Sequence, residues 1–425
     1  MRIAVIGSGI SGMVAAYQLC RTHEVAVYES GAYAGGHTHT VDVDYHGQMY
    51  AVDTGFIVYN DWTYPNFVRL LDALDVPWQP SKMSFSVRCE KSGLEYNGTS
   101  LNSLFAQRSN IARPSFLRMV ADIVRFNAQA PKLLETGAAA LTLGEYLRRE
   151  GYSKYFIDHY IIPMGAAIWS SRPVDMLDFP ARFFVEFFAN HGFLSVNERP
   201  TWRVIRGGSR EYVKRLTAPY AARLHLNTPV ASVQRQPNRV VVRLKNGSVE
   251  NFDQVFIACH SDQALKLLSD PSHEEREILG AIPYQANEAL LHTDSSLMPR
   301  RPLAWAAWNY HLPMESYGRV TVTYNMNILQ SLRAPAQFLL TLNRGEDVDP
   351  GTVLGRYVYQ HPVFTAAAVA AQRRRHEING VRRTYYCGAY WSYGFHEDGV
   401  KSALVSVEEF RRRQEYEQPH FQRVG

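Results

Sequence analysis

"MRIAVIGSGISGMVAAYQL", residues 1–19, decides how the rest of the chain is read. After its arginine the run Arg2 to Ile6 is continuously apolar, as a strand covered on both faces of a parallel sheet is. Gly7, Gly9 and Gly12 follow at GxGxxG spacing, and "MVAAYQLC" continues as a helix. A second strand, "EVAVYE", ends on Glu29, about 20 residues beyond the glycines. A strand, a glycine turn, a helix and an acidic strand end are together the context in which this spacing means dinucleotide binding. Gly7 permits the tight turn, Gly9 lets a diphosphate approach the backbone, and Gly12 lets the helix lie on the sheet. Ile10 and Ser11 open the helix whose amides face the phosphates. Glu29, with Ser30 beside it, accepts hydrogen bonds from the adenosine ribose and disfavours a 2′-phosphate. The expected fold class is α/β, with a Rossmann-like nucleotide-binding domain.

The choice between nucleotides turns on "SGAYAGGHTHT", residues 30–40. Gly35 and Gly36 stand just after the acidic strand end, where a second glycine pair can reach the same diphosphate. This resembles the extended signature of flavoproteins, in which Gly-Gly-Arg follows the acid. His37 takes the arginine's place, leaving either a cation that titrates near neutrality or a plain hydrogen-bonding spacer. The resemblance implies FAD.

"GGHTHTVDV" and "VDTGF", which carry Thr38, Thr54, Gly55 and Phe56, resemble the flavin-containing amine oxidase and phytoene desaturase superfamily. "RVIRGGSREYVKRL" is similar to its Gly-Gly element opening a helix. "LNTPVASVQRQPNRVVVRLKNGSVENFDQVFIAC" is similar to its adenine-side hairpin, where the backbone at Val230 would meet the adenine. Ala258 opens an Ala-Cys-His turn in place of the family's Ala-Thr. "VDTGFIVYN", "MSFSV", "LEYNGTSLNSLFAQR" and "GFHEDG" resemble a bacterial NAD/FAD-binding subgroup associated with cyclopropane and methylated (furan) fatty-acid enzymes. The resemblance implies noncovalent FAD, because the superfamily's covalent cysteine lies before the late segment and no Cys occurs between Cys259 and Cys387.

Length and composition are consistent with this. A chain of 425 residues suggests two domains, and 46% apolar with 20% charged residues is ordinary for a globular protein. The net charge of +5 argues against a nucleic-acid binder. Cys20, Cys89, Cys259 and Cys387 have no metal-ligand spacing, so no metal is expected and the thiols suit a cytoplasmic protein. No apolar run is long enough to span a bilayer. The expected cofactor domain is discontinuous, residues 1–80, 196–268 and 376–425. Residues 81–195 and 269–375 are expected to form a mixed sheet-plus-helix substrate domain with a helical cap. In "SFLRMVADIVRFNAQAPKLL", Arg118, Arg125 and Lys132 alternate with Phe116, Met119, Val120, Ile123, Val124 and Phe126. Such a helix suits peripheral contact with a membrane or an ordinary solvated face.

The sequence contains no nucleophile elbow, Walker motif or second GxGxxG, so dioxygen or a quinone-like acceptor is expected to reoxidise the flavin. Hydride transfer needs a substrate carbon beside flavin N5 and no protein nucleophile. The expected activity is that of an oxidase, dehydrogenase or desaturase on an apolar, fatty-acyl or lipid-like substrate. The alternatives are amine oxidation and flavin-dependent double-bond isomerisation. For proton transfer the sequence offers His260, His292, His311, His396, Glu397 and Asp398. Trp305 and Trp308 suit a cavity wall or a core equally. In "YYCGAYWSYGFHEDGVKSA", residues 385–403, the resemblance makes Gly388 the end of a late strand. Ala389 replaces the family's carboxylate. Tyr390 and Trp391 are candidates for an aromatic cage, with His396 and Glu397 as acid-base candidates. Asp398, Gly399 and Val400 start a helix whose amides would face the flavin N1 edge.

Overall fold

The computed structural model describes residues 1–135, 141–195, 199–315 and 318–417. A parallel sheet runs in the order Leu224–His225, Glu24–Tyr28, Arg2–Ile6, Gln254–Ile257, Thr384–Tyr386. Its central strand pairs on both sides, Ile3 facing Val25 and Gln254. Ile3 and Val5 pack with Val14 of helix Ile10–Leu19 and Phe410 of helix His396–Glu417. Ala4 and Ile6 turn to Val233 and Val242 of the antiparallel ribbon Val230–Arg235, Val240–Leu244, Val249–Phe252. Both faces are covered, which is why the opening strand alternates nothing polar into itself.

A second, seven-stranded sheet has the order Val353–Pro362, Tyr284–His292, Leu339–Leu342, Val322–Asn325, Trp308–Leu312, Phe85–Cys89, Leu94–Asn97. It is antiparallel except where Trp308–Leu312 runs parallel to Phe85–Cys89. Helices Pro114–Gln129, Leu143–Arg149 and Ala181–Asn190, with the helical stretch 154–169, pack their aromatic faces into the same core. That core also takes Val43, Tyr50 and Val52 from the hairpin Thr40–Tyr45/Gln48–Asp53. Conversely, Ile278 and Leu279 of helix His273–Gly280 and Ala371 of helix Ala366–Arg373 pack beneath the parallel sheet. The core boundaries therefore depart from 80, 268 and 375, because these elements bury their apolar faces across them. The boundary at 196 lies outside the described residues.

In helix Pro114–Gln129 the arginines turn to a buried acid. Asp122, 2% exposed, accepts from Arg125 at 3.0 Å, Arg118 at 3.4 Å and the Ser153 amide at 3.1 Å. Stretch 154–169 contains a π turn at Ile157–Ile161. Pro163, lacking an N–H, cannot bond the carbonyl four residues back. The Tyr96 hydroxyl takes that free His159 carbonyl at 2.8 Å. Among the described residues no helix is long and apolar enough to cross a membrane.

Candidate active site

The glycine loop is built by close contact. Gly7 has φ +99, and a Cβ there would lie 2.9 Å from the Ala258 carbonyl oxygen. A Cβ on Gly12 would lie 1.9 Å from the Gly7 oxygen, so only glycine lets the helix sit this close. Gly9 differs, since its Cβ would meet nothing within 4 Å. Gly35 donates to the Ser8 carbonyl at 3.0 Å, which seats the second glycine pair on the first loop. Gly36, φ +61, brings its own Cβ position to 3.0 Å from the Gly9 Cα. Glu29 Oε2 accepts from the Ser8 amide at 2.9 Å and its hydroxyl at 2.6 Å, while Oε1 accepts from the Gly31 amide at 2.8 Å. Ser30 is exposed beside it, its hydroxyl 3.3 Å from Glu29 Oε1. The Thr228 amide donates to the Glu29 carbonyl at 2.7 Å, which carries the Val230 strand to the same edge.

The late segment meets this loop at its helix start. A Cβ on Gly399 would lie 2.6 Å from Ile10 Cγ2 and 2.9 Å from Ser11 Oγ, so the two helices converge at their N-termini. Helix Ile10–Leu19 has no side-chain cap, and its first amides are donors awaiting an anion. The Ala389 methyl sits beside the same junction, 3.9 Å from the Gly399 Cβ position. Gly388, φ 175, is ordinary extended backbone and donates to Ser402 Oγ at 3.0 Å. Asp398 caps its own helix by accepting the Phe395 amide at 2.9 Å, and burial pushes its carboxyl up to about 6. Val400 is buried against the opening strand's core.

A cavity of about 340 Å³ runs from His37, Thr54, Gly55, Phe56 and His396 out to Gly98, Thr99 and Arg199. Among its described lining residues only those last three are exposed, and they mark its mouth. Between the ends the wall is mainly aromatic and aliphatic, including Tyr160 from the π turn, Trp169, Phe187 and Trp308. Burial depresses His37, His191, His361 and His396, leaving Arg199 as the single formal charge among the described lining residues.

Three of the four residues expected to be catalytic take other places. Glu397 caps a different helix, Pro65–Ala73, accepting the Asn66 amide at 3.1 Å, Asn66 Nδ2 at 2.5 Å and the Phe67 amide at 2.9 Å. A helix N-terminus favours a carboxylate, and Glu397 is not among the residues of the cavity wall. Tyr390 packs with Ile282, Ala368, Tyr284 and Trp391. Trp391 donates to the Tyr386 carbonyl at 3.2 Å. Neither lines the cavity, and the aromatics that do are Tyr393 and Phe395. His396 does line it, stacked on Phe56 at 3.6 Å. Its Nε2 lies 3.0 Å from both Thr38 Oγ1 and Tyr212 Oη, themselves 2.5 Å apart. Burial lowers its imidazole to about 3, so it is neutral and held by packing.

The remaining candidates stand outside the wall. Trp305 is spent on the Pro299 carbonyl at 2.8 Å. His260 stacks on Tyr284 at 4.4 Å. His292 bonds Thr341 at 2.7 Å and His311 bonds Glu90 at 2.8 Å, both away from the cavity.

A sequence model of the family described as flavin containing amine oxidoreductase matches residues 10–293, more than half of the chain. This chain belongs to that family. It is therefore an FAD-dependent oxidoreductase, and the junction of the glycine loop with the two helix starts fits the diphosphate. Its fold is shared with a fatty acid isomerase from P. acnes that produces CLA (TM-score 0.69, 16% identity, 96% of this chain and 98% of that one). Cyclohexylamine oxidase from Brevibacterium oxydans shares it too (0.67, 15%, 97% and 99%). So does reduced UDP-galactopyranose mutase (0.68, 15%, 97% and 96%). No curated protein matches the flavoenzyme by sequence.

The oxidoreductase's inner wall holds a histidine that no motif singles out. Tyr357, Tyr359 and His361 alternate along strand Val353–Pro362. Their rings meet His39 at 5.0 Å, His37 at 5.4 Å and His37 at 5.3 Å respectively. The Tyr359 hydroxyl reaches Thr54 Oγ1 at 2.7 Å. Asn287 Nδ2 lies 3.1 Å from His361 Nδ1, and two other bonds fix that amide's orientation. Its Nδ2 also donates to the Ser170 carbonyl at 3.1 Å, and its Oδ1 accepts from Asn343 Nδ2 at 2.8 Å. An amide nitrogen only donates, so His361 Nδ1 accepts and the ring proton sits on Nε2. The alternation Tyr-x-Tyr-x-His is the one sequence signal for this face. Arg199 carries no such pattern.

Proposed function

We propose that this flavoenzyme removes hydrogen from an apolar, fatty-acyl or lipid-like substrate, passing electrons on to dioxygen or a quinone-like acceptor. The observation that carries this is the cavity wall: mainly aromatic and aliphatic, with no Asp, Glu or Lys among its described lining residues. FAD, when bound, supplies the two-electron acceptor. The chain holds it noncovalently through the glycine loop, the Glu29 edge and the start of helix His396–Glu417. His37, Thr54, Gly55 and Phe56 form the wall shared by cofactor and substrate sides, with Thr38 bonded to His396 at its edge. His361, neutral and with its proton fixed on Nε2, is a wall residue that can donate a hydrogen bond and orient a polar group of the substrate.

Amine oxidation fits less well, because among the described lining residues a cationic substrate would meet no carboxylate and one arginine. Isomerisation, with hydrogen removed and returned, uses the same wall and differs in product. Peripheral membrane contact belongs to this reading, since exposed Leu101 follows the mouth residue Thr99 and Ile111, Leu117 and Val124 are exposed nearby in sequence. The test is anaerobic mixing of the FAD-loaded protein with C18 acyl lipids and with alkylamines. Bleaching by acyl lipids supports the proposal, bleaching by amines alone overturns it, and a shifted double bond without bleaching selects isomerisation.

A further inference from the structure

We infer that Arg199 anchors a single anionic head at the cavity mouth, so that the substrate is an amphiphile entering with its chain inward. This rests on the acyl reading above and specifies which end of the molecule faces water. Three observations converge on it. Among the described lining residues Arg199 is the one formal charge, and it is exposed where the cavity opens. Among the described residues it has no ion-pair or hydrogen-bond partner, whereas the neighbouring Arg203 faces Asp61 at 3.7 Å and stacks on Trp78 at 4.1 Å. Its charge is felt by Tyr160, the side chain that the π turn carries into the cavity wall.

A guanidinium presents a planar fork that matches a carboxylate or phosphate with two parallel hydrogen bonds. The other rim residues, Gly98 and Thr99, add no competing charge. Inward of the rim every titratable side chain among the described lining residues is neutral at pH 7, so among them an anionic head finds a counter-charge at the entrance alone. A carboxylate and a lipid phosphate share this chemistry.

The experiment measures binding to the FAD-loaded protein through perturbation of flavin absorbance. The probes are a C18 unsaturated fatty acid, its methyl ester, and vesicles of phosphatidylglycerol or phosphatidylcholine. In Arg199→Gln the free acid or the phosphatidylglycerol should bind about tenfold more weakly, while the methyl ester is unchanged. Arg199→Lys should recover part of the loss. A loss confined to the acid assigns the carboxylate, and a loss confined to phosphatidylglycerol assigns the phosphate. Equal binding of acid and ester by the wild type, with Arg199→Gln indistinguishable on every probe, overturns the anchor alone. Failure of every acyl probe to bind overturns the acyl reading with it. Flavin content and melting of the variant confirm that it is folded.

Discussion

Replacing Glu397 tests whether its carboxylate holds the fold together or takes part in the chemistry. The group is 8% exposed and accepts three hydrogen bonds from the start of helix Pro65–Ala73. In Glu397→Ala the Phe67 amide, beneath a side chain that is fully buried, loses its acceptor. One unsatisfied buried donor costs about 1–3 kcal/mol. Loss of a negative charge at a helix N-terminus adds about 0.3–1 kcal/mol. Asn66 is half-buried and recovers part of its bonding from water. The expected total is about 1–4 kcal/mol. Glu397→Gln keeps one acceptor oxygen and should lose about half of that. Urea unfolding of the FAD-loaded protein would order the three proteins as wild type, Gln, Ala. The rate of flavin reduction per bound flavin should stay within about twofold of wild type, a difference of about 0.4 kcal/mol. A full-stability Glu397→Ala protein whose reduction is tenfold slower would refute this reasoning.

Gly9→Asp should fold normally, because its Cβ meets nothing within 4 Å, yet purify without yellow colour because its charge opposes the diphosphate. Retained flavin would contradict the site. Asp53, fully buried, accepts from Thr40 and Ser209, and burial raises its carboxyl from 3.8 to about 6. A raised folded value means its contribution is complete below the unfolded value and is lost as pH climbs through about 6, roughly 3 kcal/mol in all. Urea midpoints of Asp53→Asn should therefore fall less steeply between pH 4 and 7 than those of wild type, and parallel curves would contradict this. His361→Gln, which takes the Nε2 donor from the wall, should slow flavin reduction by roughly tenfold without releasing flavin. Asn287→Leu, which frees the ring to change tautomer, should slow it by a similar factor, and two unchanged rates would remove His361 from the site.

The cofactor side is legible in the sequence because its physics is local. Gly7, Gly12 and Gly35 are needed where two backbones nearly touch, and such contacts recur at fixed spacing along the chain. The substrate side is less so. Glu397 stands in a polar run that reads as chemistry, and only the fold shows helix Pro65–Ala73 arriving above it. Tyr390 and Trp391 face away from the cavity while Tyr393 and Phe395 face it, a difference set by the irregular backbone after Gly388. His361 is visible only as a period of two whose partner, Asn287, lies on the adjacent strand. Arg199 acquires meaning from the uncharged company of the described lining residues, which no single stretch of sequence displays.

The bond from Tyr96 to the His159 carbonyl couples entry to interior shape. Tyr96 sits on the edge strand that leads directly into Gly98 and Thr99 at the mouth, and His159 lies in the π turn that sets Tyr160 in the wall. The rim and the gauge of the tunnel are thus fastened at one point. A branch on the chain bulky enough to push Tyr160 aside pulls on the doorway through which it came, so selection by girth and selection at entry become a single event.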